Sequence, residues 1–104
     1  MITEIILSED VRKYIRELSS IAEKAQISRY IDRQEELGHR LKEPVSKHLR
    51  DGIHEIRPGP HRVLFFFDKS RIVLIHAFRK KTRETPTCEI EAAIRKKDRW
   101  ARYA

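Results

Sequence analysis

Cysteine is almost absent from this sequence, which limits the ways in which the fold can be held together. Cys88 is the only cysteine in 104 residues, so an intrachain disulfide cannot form. A lone thiol also fails to supply the paired thiolates of a structural zinc site. This cysteine usage is typical of a reducing compartment, and we expect a cytoplasmic protein.

Long apolar runs and a signal peptide are absent too. No apolar stretch approaches the roughly 20 residues that span a bilayer. The first residues, MITEIILSEDV, include acidic side chains where a signal peptide has basic ones. The sequence therefore predicts no membrane partner and no export.

The patterns that hold metal ions or nucleotide cofactors are also missing. The three glycines are scattered, so no glycine-rich phosphate loop is present. None of the five histidines forms the i, i+4 pair of a helical metal site, and the carboxylates of the C-terminal part do not cluster. We therefore predict no metal ion and no cofactor.

Positive charge is abundant and unevenly distributed. The net charge is +7, and 38% of the residues are charged. Residues 1–37 carry six Lys and Arg against eight Asp and Glu, whereas residues 38–104 carry 17 against eight. A positive field confined to one part of the chain predicts a polyanionic partner, with nucleic acid as the first candidate. The alternative is a basic protein whose charge serves only solubility.

The N-terminal part has the pattern of two helices. Residues 2–7 are either a short strand or the lead-in to the first helix. Ser8 is a predicted N-cap, and Ser20 with Glu23 forms a capping-box pattern that starts a second helix. Gly38 is a natural residue to end that helix. The mixed charges of this part indicate a scaffold with a solvated outer face.

A small sheet is predicted after a connector over residues 39–51. We expect strands at Ile53–Arg57, Arg62–Phe67 and Arg71–Phe78, joined by connections so short that the pairing must be antiparallel. Both alternating side-chain sets of the middle strand are largely apolar. This strand should therefore be central in the sheet and covered on both faces.

A last helix is predicted to cover the second face, with Thr85 as its N-cap and Pro86 in its first turn. His76 is expected in the apolar core. Together the patterns predict one α+β domain over residues 1–104. In it, an N-terminal helix pair packs on a small twisted antiparallel sheet of three or four strands, followed by a C-terminal helix.

Basic residues gather where the predicted strands begin and end. RNA is cleaved without a metal ion when a base activates its 2′-hydroxyl, an acid protonates the leaving oxygen and cations stabilise the phosphorane. Arginine matches two phosphate oxygens, and histidine or lysine can transfer protons. Residues of these types are Lys47, His54, Arg57, His61, Arg62, Lys80 and Lys81. Arg57 and Arg62 flank one turn and can converge on a single phosphate. A solvated strand rim is the alternative.

The motifs themselves resemble a known toxin superfamily. K-x-L-x-D-G-I-x-E-I-R occupies residues 47–57, H-R-V-L-F-F-F follows at 61–67, and I-V-L-I-H-A-F-R-K-K-T-R-E-T-P stands at 72–86. With E-I-x-x-A at 89–93, the series is similar to the RelE/ParE toxin superfamily, and more closely to its phage-derived branch related to HigB. The resemblance covers most of the chain and implies a RelE-like fold.

That resemblance implies the toxin of a type II toxin–antitoxin system. Such a toxin is a metal-independent mRNA interferase that cuts mRNA in the ribosomal A site and so inhibits translation. The implied partner is an antitoxin, often a helix-turn-helix protein, in a toxin–antitoxin hetero-oligomer. The implied catalytic residues are Arg57, Arg62, His54 and Lys80. The basic residues at the ends of the predicted strands add candidates for RNA binding, namely Lys47, His61, Arg79, Lys81 and Arg83.

Two other functions fit the same resemblance. ParE relatives share the fold but poison DNA gyrase without cutting RNA, and a remnant of the family can bind RNA without cleavage. The branch often has an aromatic residue where His61 stands, and RelE relatives use a C-terminal tyrosine, for which only Tyr103 is present in the last third. The proton-transferring group therefore stays open among His54, His61 and Lys47.

Overall fold

The computed structural model describes residues 4–38 and 46–103. In chain order, the elements are β1 (Glu4–Leu7), α1 (Glu9–Arg16), α2 (Ile21–Leu37), β2 (Ser46–Arg50), β3 (Ile53–Ile56), β4 (His61–Asp68), β5 (Arg71–Arg79) and α3 (Thr87–Tyr103). None of the helices in these ranges combines the length and apolarity that crossing a bilayer requires.

The strands form one mixed sheet in the order β1-β5-β4-β3-β2. β1 runs parallel to β5, with Glu4 opposite Arg71 and Leu7 opposite Leu74, and the other neighbours are antiparallel. The predicted α+β class is confirmed. The prediction of a purely antiparallel sheet with three or four strands is wrong, because β1 and β2 extend it to five strands.

β2 corrects the expectation of a connector over residues 39–51. Ser46–Arg50 pairs with β3, although its sequence SKHLR lacks the apolar alternation of a typical strand. Strands at the edge of a sheet carry charged residues that discourage further pairing, so composition alone identifies them poorly. In this strand only Ser46 and Leu49 are withdrawn from solvent. Residues 39–45, which include Pro44, lie outside the described residues.

The central strand β4 separates two apolar cores, as predicted. Val63 and Phe65 face the helix pair and are fully buried, whereas Leu64 and Phe66 face α3. Burying a phenylalanine fully contributes roughly 1.5–3 kcal/mol relative to leaving it exposed. Because successive strand residues point to opposite faces, the same alternation decides which polar side chains can meet.

Both predicted N-caps of the helix pair are confirmed. The hydroxyl of Ser8 accepts the N–H of Val11 at 3.3 Å, and the hydroxyl of Ser20 accepts the N–H of Glu23 at 3.1 Å. Each cap of this kind contributes about 1 kcal/mol. Gly38 ends α2 with φ 55° and ψ −127°, a positive-φ conformation that glycine adopts without strain.

The start of α3 differs from the prediction. The carbonyl of Pro86 accepts the N–H groups of Glu89 at 3.0 Å and Ile90 at 3.2 Å, so Pro86 precedes the first helical residue. Thr85 was the predicted N-cap, but its hydroxyl donates to the carboxylate of Glu55 on β3. A buried carboxylate needs hydrogen-bond donors, and this need competes with the helix end for the hydroxyl.

His76 belongs to a polar network and not to the apolar core, where it was expected. Its Nε2 lies 2.8 Å from Glu89, and its Nδ1 accepts from Lys96 at 2.8 Å. Lys96 also pairs with Asp10 of α1 at 2.8 Å. Burial lowers the pKa of His76, while the hydrogen bond with Glu89 opposes that shift, and the lowered pKa favours the uncharged ring that accepts from the lysine. The network joins α3 to α1.

The turn between β3 and β4 positions Arg57 and Arg62, and it depends on Gly59. This residue has φ 62°, in the left-handed region that side chains with a Cβ rarely adopt. A Cβ added there would also lie 2.5 Å from Oε1 of Gln26 on α2. The turn therefore combines a backbone requirement with a close approach of the helix pair.

We expect Gly59→Ala to lower the free energy of unfolding by about 1 kcal/mol, because alanine is strained at this backbone angle. The tip of Gln26 can move at little cost, so the backbone should dominate the effect. Gly59→Asn should lower the free energy of unfolding by less, since asparagine tolerates the left-handed region. Urea denaturation of the three proteins measures the difference. Equal losses in the two variants would instead indicate the contact with Gln26.

Candidate functional site

An open groove of about 470 Å³ lies between β2 and the segment that leads into α3. Four of its nine lining residues are lysine or arginine. We call it the basic groove and define it by Lys47, His48, Arg50, Arg57, Arg83 and Thr85. It brings together three side chains predicted from the sequence to serve an RNA phosphate, namely Lys47, Arg57 and Arg83.

The buried carboxylate of Glu55 organises one wall of the groove. Glu55 is fully buried, its Oε1 accepts from Nε of Arg57 at 2.7 Å, and its Oε2 accepts from the hydroxyl of Thr85. The side chain of Arg57 is 37% exposed. Within the described ranges, no hydrogen bond engages its terminal amines. Glu55 therefore fixes one edge of the guanidinium and leaves the other edge available to an anion in the groove.

Arg62 lies on the same face of the sheet as Arg57 but has a different environment. It is only 9% exposed, and its Nη1 donates to the carbonyls of Gly59 at 2.9 Å and His61 at 2.8 Å. Burial lowers the pKa of Arg62, the carboxylate of Glu55 opposes that shift, and the charge of Arg57 adds to it. Arginine stays protonated in proteins all the same. Arg62 thus holds the turn and adds positive charge beside Arg57.

Lys80 and Lys81 follow the end of β5 and are exposed. The N–H of Lys80 donates to the carbonyl of Pro60 at 2.8 Å, which ties this segment to the β3–β4 turn. Neither ammonium group pairs with a carboxylate in the part of the chain that the structure describes. The two lysines extend the positive surface from the turn and stay candidates for RNA binding.

His61 is fully buried, which contradicts its predicted role as a direct RNA contact. Its Nε2 lies 2.5 Å from Glu23 of α2, and its Nδ1 lies 2.6 Å from the hydroxyl of Tyr14 of α1. Arg79, also predicted to bind RNA, donates to the same Glu23 oxygen at 2.9 Å. The hydrogen bond from His61 lowers the pKa of Glu23, whereas burial raises the pKa of Tyr14. This network joins the helix pair to the sheet.

His54 lies on the opposite face of β3 from Glu55 and Arg57. It packs between the rings of Phe65 and Phe67, at centroid distances of 5.4 and 5.1 Å. Burial and nearby positive charge lower the pKa of His54 to about 4. At neutral pH it is therefore almost wholly uncharged and lacks the imidazolium proton that a general acid donates to a leaving group. The structure separates His54 from Arg57, with which it was predicted to act.

Sequence reasoning did not assign Glu55, Thr85 or His48 to the groove. For Glu55 a signal existed, because it stands two residues before Arg57 in the predicted strand Ile53–Arg57, and such residues share a face. Thr85 was noticed, but as a helix cap. Among residues 4–38 and 46–103, no three histidine, cysteine or carboxylate side chains are grouped so that they could hold a metal ion.

A mixed sheet with helices on both faces and a basic groove at one end defines a small α+β domain compatible with the RelE-like fold. The chain belongs to the family described as phage derived protein Gp49-like (DUF891), whose family model matches residues 13–98. This family is toxin-like and associated with toxin–antitoxin systems. Comparison with curated proteins gives no match. The narrower HigB branch stays a prediction.

We expect Glu55→Ala to lower the free energy of unfolding by about 2 kcal/mol. Breaking a fully buried ion pair costs about 3–5 kcal/mol, and the partial exposure of Arg57 reduces that cost. Thr85→Val removes one hydrogen bond and should cost about 1 kcal/mol. Urea denaturation measures both. If Glu55→Ala is as stable as the unaltered protein, the carboxylate does not hold this wall.

His54 should make the protein less stable as the pH falls from about 6.5 to about 4. The unfolded chain takes up a proton on this histidine near pH 6.5, whereas the folded chain resists it until about pH 4. The free energy of unfolding should change less over this pH range in His54→Phe. We expect the difference from the unaltered protein to be on the order of 2 kcal/mol. Urea denaturation across this pH range measures it, and an unchanged slope in the variant contradicts the assignment.

Proposed function

We propose that this protein is the toxin of a type II toxin–antitoxin system and that it cleaves mRNA in the ribosomal A site without a metal ion. One observation carries the proposal. Arg57 is held by the buried Glu55 and keeps its terminal amines available in the basic groove. Membership of a toxin-like family supports the biological role.

The groove suits the chemistry of phosphate cleavage by the RNA itself. The 2′-hydroxyl loses a proton and attacks the adjacent phosphate, and the leaving 5′-oxygen takes up a proton. We assign the stabilisation of the phosphorane to Arg57, whose planar fork matches two oxygens. Arg83 and Lys80 hold the flanking backbone. Of the three predicted proton-transfer groups, Lys47 is the one that lines the groove.

A second candidate is a toxin that binds its target without cleaving RNA, as ParE relatives do with gyrase. The positions of His54 and His61 favour it to some extent, because neither histidine lies in the basic groove. The unengaged edge of Arg57 favours cleavage more strongly, since a phosphorane requires such a donor pair.

The proposed partner in the cell is a cognate antitoxin, often a helix-turn-helix protein, in a toxin–antitoxin hetero-oligomer. The excess positive charge of residues 38–104 supports an acidic antitoxin segment as the part that covers the groove.

Mapping the 5′ ends of cellular mRNA after expression of the protein without its antitoxin tests the proposal. We expect new 5′ ends in translated messages with the unaltered protein. Arg57→Ala should slow cleavage on the order of a hundredfold, as the loss of one charge-stabilising donor does elsewhere.

Arg33→Ala is the matched control. Arg33 is an exposed arginine of α2 outside the basic groove, so its removal changes the net charge equally and should leave the cleavage unchanged. A toxic protein that leaves mRNA ends unaltered would end the nuclease proposal. Accompanying DNA-damage signalling would then support the gyrase-type toxin.

A further inference from the structure

Three aromatic rings form a row across β2, β3 and β4, on the face of the sheet opposite Glu55 and Arg57. In the pairing register, His48 of β2 stands opposite His54 of β3, and His54 stands opposite Phe65 of β4. The ring centroids of His48 and His54 are 4.8 Å apart, and those of His54 and Phe65 are 5.4 Å apart in a stacked arrangement. Direct cross-strand neighbours of this kind support one another.

The outermost ring of this row is accessible. His48 is exposed, whereas His54 is half-buried and Phe65 is fully buried. No hydrogen bond within the described ranges engages the imidazole of His48. Its inner side is supported by His54, so the ring is held in place without its outer face being covered.

The neighbours of His48 indicate what would bind there. His48 lines the basic groove, and Lys47 precedes it directly in the same strand. Consecutive strand residues point to opposite faces, so the ammonium group and the ring flank one edge of the sheet. A chain with alternating phosphates and flat rings matches this pair, because single-stranded nucleic acid is bound by cations along its backbone and by aromatic stacking of its bases.

We propose that His48 is a stacking platform for a nucleobase of single-stranded RNA whose neighbouring phosphates lie in the basic groove. The inference rests on the proposed function for its RNA ligand, but it does not require cleavage. The uncharged state of His54 at neutral pH suits it, since the supporting ring then adds no positive charge beneath the platform.

The test compares two labelled strands of equal length, an oligoadenylate and an abasic ribose-phosphate strand, by fluorescence anisotropy with the full-length protein. His48→Ala should weaken oligoadenylate binding roughly tenfold and leave the abasic strand unaffected, because only bases stack. His48→Phe keeps a ring and should retain most of the affinity for oligoadenylate.

Lys47→Ala is the contrasting variant. It should weaken the binding of both labelled strands. It should also reduce the slope of log affinity against log salt by about 0.7, since one phosphate contact is lost. His48→Ala should leave that slope unchanged. His48 is exposed, so its variants should unfold at nearly the same temperature as the unaltered protein.

If His48→Ala lowers the affinity for both RNA strands equally, or for neither, the stacking platform is overturned. The proposed function stays intact in both cases. Failure of the unaltered protein to bind either strand at low salt also overturns it. The mapping of mRNA ends in cells judges the proposed function separately.

Discussion

The carboxylate of Glu55 lies out of contact with water, and each of its oxygens accepts a hydrogen bond from a different part of the chain. Arg57 directly follows the end of the same strand, and Thr85 comes from the segment before α3. A buried carboxylate that lost these donors would be strongly unfavourable. The carboxylate of Glu55 therefore links the end of the strand to the segment before α3. It also fixes the guanidinium that faces the groove.

Much of the fold follows from local rules. Ser8 and Ser20 cap their helices as their sequence context predicts, and β4 lies at the centre of the sheet as its apolar residues on both faces predict. The edge strands were harder to predict. β2 is polar because it lies at an edge, and β1 is held by parallel pairing with β5, a partner far away in sequence.

The site was less predictable than the fold because its polar contacts cross between elements. Residue types near Arg57 were identified, but the partners of His61, namely Glu23 and Tyr14, come from the helix pair. Residues of the same type also differ in burial, which the sequence does not reveal. His48 and His54 are cross-strand neighbours, yet one ring is exposed and the other has a pKa of about 4.

The parallel pairing of β1 also affects the order in which the chain can fold during synthesis. Glu4–Leu7 is synthesised well before its partner on β5, which lies 67 residues further along the chain. The contact between Glu55 and Thr85 must wait longer still. Contacts between residues so distant in sequence form slowly, because a long loop has to close first. The groove thus takes its final shape only after β5 and Thr85 have been synthesised, and a nascent chain lacks it until then.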